Sequence, residues 1–318
     1  MMRAVFLDFA TMGPDISTAA LDTLLPTDYY ANTAPGQLQA RIGNAEIVIV
    51  NKVALSATTL NGAPRLRLAV LAATGTDNVD LQAATARGIG VANIRDYCTP
   101  SVVQHVLGLM LSLTHHLSQY HQRAMVGAWG AQDQFCLFDY PIRELKGRNL
   151  GIVGYGTLGR AVGRLAAALG MNVLVAQRPG TEPEHREGRL PMAELLPRVD
   201  VLSLHCPLTP ATRHLIAAPQ LAQMKRDALL INTARGALVD TAALAAALRD
   251  GVIGGAGIDV LAQEPPAAGD PLLEADIPNL LLTPHVAWAA LESRQRGMDQ
   301  VTENIAAFLA GERLRRVV

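Results

Sequence analysis

A chain of 318 residues is long enough for about two domains, each able to bury its own core. Half of the residues are hydrophobic and 17% are charged, which excludes a disordered chain. The 27 Lys and Arg against 28 Asp and Glu give a formal net charge of −1, so no field draws nucleic acid or an anionic membrane, and a small molecule is the expected ligand.

The amino terminus, Met1-Met2-Arg3-Ala4-Val5-Phe6-Leu7-Asp8, reads as an opening strand and lacks the long apolar core and cleavage site of a signal peptide. No apolar run is long enough to span a bilayer. Cys98, Cys136 and Cys206 are far apart and form no metal-ligand or redox pair by spacing, so no metal is expected and a reduced, cytoplasmic protein is.

From residue 5 to about 93, strand-like and helix-like segments alternate. Residues 5–8, 47–50 and 68–72 are apolar runs bounded by polar or turn residues, which suits parallel strands buried on both faces. Residues 17–25 and 35–43 between them carry helical spacing. The pattern predicts one small doubly wound sheet. The run after 68–72 is Ala-Thr-Gly-Thr-Asp-Asn-Val-Asp, residues 73–80. At the carboxyl end of a parallel strand the N–H groups of Thr74, Gly75 and Thr76 can cradle a carboxylate, and an ordinary turn is the other reading.

Thr99 can cap a helix, Pro100 fits its first position, and Val102, Val103, Val106, Leu107, Met110 and Leu113 form a wide apolar face through His115. This helix is apolar enough to be buried between domains or against a second subunit. Residues 129–140 then collect Trp129, Phe135, Phe138 and Tyr140 from a chain with two Trp, five Phe and six Tyr. The enrichment reads as a dimer arm, an active-site cover, or an arm folded on its own core.

Residues 150–153 are a short apolar strand, and Gly154, Gly156 and Gly159 follow on the spacing of the dinucleotide fingerprint. Gly154 permits the tight turn, Gly156 lets backbone N–H groups approach a pyrophosphate, and Gly159 lets the next helix pack close to its strand. That helix, residues 160–169 with Gly170 as its stop, points the positive end of its dipole at the phosphates. A second strand, 172–176, ends where an acidic residue would hold the ribose hydroxyls of NAD. Gln177 and Arg178 stand there instead, which removes repulsion against a 2′-phosphate and leaves NAD or NADP open.

Further strands are expected at 199–204, 228–232, 255–260 and 280–282, with a helix over 241–249 and a long last helix over 292–309. The loops after these strands carry His205-Cys206-Pro207, Thr233-Ala234-Arg235-Gly236, Asp259 with Glu264, and Thr283-Pro284-His285. Parallel strands place their carboxyl ends along one crevice, so Arg235, Glu264 and His285 can converge there. An arginine can hold a 2-oxo acid through a planar fork, a histidine can pass a proton to a developing alkoxide, and a glutamate can orient the imidazole.

The runs Asn232-Thr-Ala-Arg-Gly-Ala-Leu-Val-Asp240, Asp259-Val260 with Glu264-Pro265, and Thr283-Pro-His-Val-Ala-Trp288 resemble the signatures of the D-2-hydroxyacid dehydrogenase family. Residues 73–80, 93–98 and 138–144 further resemble its glycerate dehydrogenase or hydroxypyruvate reductase branch. The resemblance implies an α/β protein of two doubly wound, Rossmann-like parallel sheets. Residues 1–98 and 287–318 would form a discontinuous, flavodoxin-like substrate domain, and 99–286 the dinucleotide-binding domain. It also implies that Arg235 binds substrate, His285 is the acid/base and Glu264 its partner, with Lys52, Thr74 and Gly75 at the substrate carboxylate. For the cofactor it implies Thr157 and Leu158 at the pyrophosphate, Cys206 and Pro207 at the adenosine half, and Thr233, Ala234, Asp259 and His285 at the nicotinamide half. Gln177 departs from the acidic residue of most relatives. Family members commonly pair as homodimers through the helix corresponding to residues 101–115.

The activity so implied is reduction of hydroxypyruvate to D-glycerate, with glyoxylate a further acceptor. Another 2-oxo acid reductase of the scaffold is the alternative, such as a phosphoglycerate dehydrogenase, many of which carry an added regulatory domain for which 318 residues leave no room. A non-catalytic, dinucleotide-sensing protein akin to related co-repressors is a third reading, against which the charge balance argues.

Overall fold

The computed structural model describes residues 2–178, 188–274 and 276–318. The chain divides into two compact units, Met1–Cys98 with Trp288–Val318, and Thr99–Ala287.

In the first unit β1 (Ala4–Phe6), β2 (Thr27–Tyr29), β3 (Ile47–Val50), β4 (Leu68–Leu71) and β5 (Gly90–Ala92) form a wholly parallel sheet in the order β2-β1-β3-β4-β5. Its inner strands β1, β3 and β4 are apolar on both sides because both faces are covered. Val5, Val48, Val50, Ala69 and Leu71 pack on one face with Leu38, Ile42, Leu55 and Leu60. Phe6, Ile47, Ile49, Leu68 and Val70 pack on the other with Leu21, Met298, Val301 and Ile305. The last three belong to the helix Leu291–Leu309, which ties the carboxyl-terminal segment to this unit. Gly297 on that helix lets it lie close, since a Cβ there would stand 3.1 Å from Ile94 Cδ1.

Sequence periodicity misses β2 and β5. Thr-Asp-Tyr in β2 is a half-buried edge strand with no apolar run, and Gly-Val-Ala in β5 is too short to show a period. It also misses two one-turn helices whose signal lies in their caps. Ser56 Oγ accepts from Thr59 N ahead of Ala57–Asn61, and Asp80 accepts from Ala83 N ahead of Leu81–Ala86.

The second unit is built on β6 (Asn149–Val153), β7 (Asn172–Ala176), β8 (Arg189–Leu190), β9 (Val201–Leu204), β10 (Leu229–Asn232), β11 (Gly255–Ile258) and β12 (Leu280–Leu282). All pairings are parallel, in the order β12-β11-β10-β9-β6-β7-β8. The chain winds away from β6 in both directions, so the order reverses between β6 and β9, where a doubly wound sheet opens its ligand crevice. The helix Thr157–Ala168 covers one approach to that crevice, and Thr99–His115 packs along β10 and β11, where Gly257 leaves room for Leu109.

The segment 129–140 forms neither helix nor strand. Phe135 is 92% and Phe138 80% exposed, so these rings are not folded into a core of their own unit. Tyr140 alone packs inward, stacked on His116 and edge-on to Tyr120.

Candidate active site

The glycine turn after β6 is shaped by two close approaches. Gly154 has φ +93°, and a Cβ on it would stand 2.5 Å from Cys206 N, in the loop after β9. A Cβ on Gly159 would stand 2.1 Å from Gly154 O, so the helix sits on its own entering turn. Gly156 differs: a Cβ there meets nothing within 4 Å. It is the N-cap of Thr157–Ala168 and offers no side-chain cap, which leaves the first N–H groups of Thr157 and Leu158 without intrahelical acceptors beside open space.

Two buried polar atoms on the same sheet edge lack partners among the described residues, Thr233 Oγ1 after β10 and Gln177 Nε2 after β7. A cradle that only glycine can line, a helix amino terminus without a cap, and orphaned polar atoms at the carboxyl ends of β7 and β10 fit a dinucleotide with a pyrophosphate at the helix. Cys206 is buried, and burial pushes its thiol up to about 11, so the crevice floor is uncharged there. Pro207 follows it, its carbonyl accepting from Thr212 Oγ1. Arg178 is exposed at the end of β7.

Arg235 follows β10 at the head of the short 3-10 turn Gly236–Leu238. Its backbone is held by Asn232, whose Nδ2 donates to Arg235 O at 2.9 Å while its Oδ1 accepts from Ala234 N at 3.1 Å. A Cβ on Gly236 would stand 2.0 Å from Leu261 C, so the arginine turn lies directly against the loop that carries Glu264. Glu264 in turn divides its carboxylate. Oε1 accepts from Leu261 N at 2.9 Å and Oε2 lies 2.5 Å from His285 Nδ1. Glu264 therefore fixes the imidazole through Nδ1.

Asp259 builds the loop beneath that histidine. Its carboxylate, with the residue 1% exposed, accepts from Thr283 Oγ1 at 2.6 Å and from Val286 N and Ala287 N at 2.9 Å. Its carbonyl accepts from His285 N at 2.7 Å. His105 completes the set, its Nε2 lying 3.0 Å from Thr283 Oγ1. With the threonine proton committed to Asp259, the imidazole N–H is the donor. These bonds hold His285 at φ +55°, a backbone conformation that a residue other than glycine keeps only when its surroundings impose it.

In the first unit Lys52, Thr74 and Gly75 stand beyond the carboxyl ends of β3 and β4. Among the described residues the N–H groups of Thr74, Gly75 and Thr76 donate to no acceptor. The loop is held by Asn93, whose Nδ2 donates to Thr74 O at 2.8 Å, and by Thr74 Oγ1, which donates to Ile94 O at 2.9 Å. Asp8 and Asn78 hold the Lys52 loop. These residues, with Asn232 and His105, escape a reading of the sequence because their partners lie far along the chain or in backbone groups. A buried acid directly after the apolar strand β1 is the one signal that could have singled out Asp8.

Residues 107–287 match the family model described as D-isomer specific 2-hydroxyacid dehydrogenase, NAD binding domain. Over 285 residues the chain is 48% identical to a glycerate dehydrogenase of Methylorubrum extorquens, covering 90% of this chain and 89% of that one. It is 38% identical over 317 residues to a hydroxypyruvate reductase of Blautia hydrogenotrophica, covering 98% of each. Among solved structures it is similar to an NADPH-dependent glyoxylate/hydroxypyruvate reductase of Sinorhizobium meliloti in complex with NADP and malonate. The TM-score is 0.82 at 30% identity, covering 100% of this chain and 97% of that one. A glycine cradle at the reversal of a parallel sheet, a match to the family model over more than half the chain, and relatives alike along nearly all of it place this chain in the D-2-hydroxyacid dehydrogenase family, oxidoreductases that act on a CH–OH group with NAD or NADP.

Proposed function

We propose that the chain is a hydroxypyruvate reductase, the same activity as a D-glycerate dehydrogenase in reverse, with glyoxylate as a second acceptor. The observation that carries the reading is the 2.5 Å pairing of His285 Nδ1 with Glu264, whose loop lies against the turn that follows Arg235, in a chain whose relatives are a glycerate dehydrogenase and a hydroxypyruvate reductase. When bound, the reduced nicotinamide supplies the hydride that C2 of the 2-oxo acid accepts. His285 delivers a proton from Nε2 to the carbonyl oxygen and is left with its Nδ1–H on Glu264. Arg235 holds the carbonyl and carboxylate oxygens in one plane, which fixes C2 for transfer. Lys52 and the open N–H groups of Thr74 and Gly75 take the carboxylate.

Gln177 supports use of NADPH alongside NADH, since a neutral amide with a buried, unpartnered Nε2 does not repel a 2′-phosphate. We further propose a homodimer built on Thr99–His115 and the arm that follows. Met125 at 73%, Phe135 at 92% and Phe138 at 80% exposure are large apolar side chains left to water within one segment, the kind of surface that supports a partner contact. A cytoplasmic location agrees with three cysteines that are all free thiols.

Oxidation of NADH and NADPH, each with hydroxypyruvate, glyoxylate, pyruvate and 3-phosphohydroxypyruvate, tests the reading. Hydroxypyruvate should give the highest kcat/KM. Preference for the phosphorylated acceptor would favour a phosphoglycerate dehydrogenase, and tight cofactor binding with no turnover on any acceptor would favour a sensing protein.

A further inference from the structure

Asp8 stands two residues beyond β1, beside the first residues after β3, and β1 and β3 are the neighbours between which the first sheet reverses its order. In doubly wound sheets that is where an anionic ligand sits, on N–H groups turned out at the strand ends. Three such groups converge in this unit, and a side chain of the chain itself takes them. Asn51 N donates to Asp8 Oδ1 at 2.9 Å and to Oδ2 at 3.1 Å. Lys52 N donates to Oδ2 at 2.6 Å and Val53 N at 2.8 Å. Asp8 is 3% exposed, so its charge is matched by these donors rather than by bulk water.

The carbonyl side of the same loop is held from elsewhere. Asn78 Nδ2 donates to Val53 O at 2.9 Å and to Asn51 O at 3.4 Å, while Asn78 O accepts from Leu55 N at 2.8 Å. Asn51 Nδ2 is fixed on Thr11 Oγ1 at 3.0 Å, and Thr11 Oγ1 donates back to Asp8 O at 2.7 Å. Asn78 closes the turn that begins with Thr74 and Gly75, so the two loops form one hydrogen-bonded body. Their chemistry is opposite: the N–H groups of 51–53 are spent on Asp8, and those of 74–76 have no acceptor among the described residues. The first loop carries Lys52, whose own backbone N–H is one of the three donors to Asp8.

We propose that Asp8 is a positioning residue, a built-in anion that seals the reversal point of the first sheet and sets the loop from which Lys52 meets the carboxylate of a 2-oxo acid. The inference rests on the assignment of Lys52 to the substrate under the proposed function. A group that acts through Lys52 on a carboxylate present in both ground and transition states should change KM and leave kcat.

The test uses the full chain and steady-state reduction of hydroxypyruvate by variants Lys52→Met, Asp8→Asn, Asn78→Ala and the Asp8→Asn/Lys52→Met pair. Lys52→Met should raise KM about tenfold with kcat changed by less than about twofold, Asp8→Asn should do the same, and Asn78→Ala should raise KM about threefold. The double variant should be no worse than Lys52→Met alone, because Asp8 has nothing left to position. NADPH dissociation constants, read by fluorescence, should not move, since the dinucleotide fingerprint lies in the other unit. If Asp8→Asn does not fold, Asn78→Ala decides. The proposal is overturned if Lys52→Met raises KM while Asp8→Asn and Asn78→Ala match the wild type, or if the double variant multiplies the two penalties as a merely structural defect does. If Lys52→Met itself leaves KM unchanged, Lys52 is no substrate residue and the proposal falls with that assignment.

Discussion

Gly156 and Gly159 stand three residues apart in one turn and should fail in opposite ways when changed to alanine. A Cβ on Gly159 lies 2.1 Å from Gly154 O and 3.1 Å from Ile152 Cγ2, against an ordinary contact of 3.4 Å or more, so the helix Thr157–Ala168 must retreat by more than 1 Å. Overpacking of this size costs about 1–3 kcal/mol, which for a unit of this length lowers Tm by roughly 5 °C. Gly156 has φ −83° and ψ −154°, and a Cβ there meets no protein atom within 4 Å. Gly156→Ala should therefore melt within about 1 °C of the wild type in the absence of cofactor. Its methyl group instead fills space left for the pyrophosphate, and NADH and NADPH should bind about a hundredfold more weakly, equal to about 2.7 kcal/mol. Thermal denaturation without cofactor and fluorescence titration with it separate the two effects. Wild-type affinity in Gly156→Ala would refute a pyrophosphate at this turn, and wild-type melting in Gly159→Ala would refute the packing argument.

Glu264→Gln can satisfy Leu261 N or His285 Nδ1 but not both as acceptor, so kcat for reduction should fall by about 10- to 100-fold, the worth of a charge-assisted hydrogen bond. Retention of more than half the turnover would show that the pair is ornamental to catalysis. His205 is paired with Ser203 Oγ at 2.9 Å, and burial depresses its imidazole from 6.5 to about 4. The unfolded chain takes that proton first as pH falls, so stability is undiminished above about pH 6.5 and drops by up to about 3 kcal/mol on the way to pH 4. Urea unfolding at pH 7 and 4.5 should show this loss reduced in His205→Asn, and equal losses in both proteins would contradict it. Gln177→Asp restores a carboxylate at the end of β7 and should weaken NADPH binding by about tenfold or more while sparing NADH, as fluorescence titration of each would show. An unchanged NADPH affinity would remove Gln177 from cofactor choice.

The second sheet was legible because β6, β9, β10 and β11 are short runs buried on every residue or nearly so, each followed by a loop rich in polar or glycine residues. The grouping of Glu264 with His285 could be read from the rule that parallel strands end on one crevice, without knowing any distance. What could not be read is whatever depends on a distant backbone. Asp8 takes its donors from 43 to 45 residues away, and the one local mark it carries is that of an acid close behind the apolar run of β1. The need for glycine at 236 comes from Leu261, in a loop that no local pattern brings near. Asp259 shows the same limit. Its place at a strand end was visible, but its hold on Thr283, Val286 and Ala287, which bends the chain at His285, is a property of the closed loop.

The most direct measurement is the turnover of His285→Gln with hydroxypyruvate, alongside its affinity for NADPH. Cofactor binding should stay within about twofold of the wild type while kcat falls by about a thousandfold, the scale of a missing general acid. A variant that binds cofactor and still reduces hydroxypyruvate at close to the wild-type rate would show that the proton comes from another group, and the paired imidazole and carboxylate would no longer explain the chemistry.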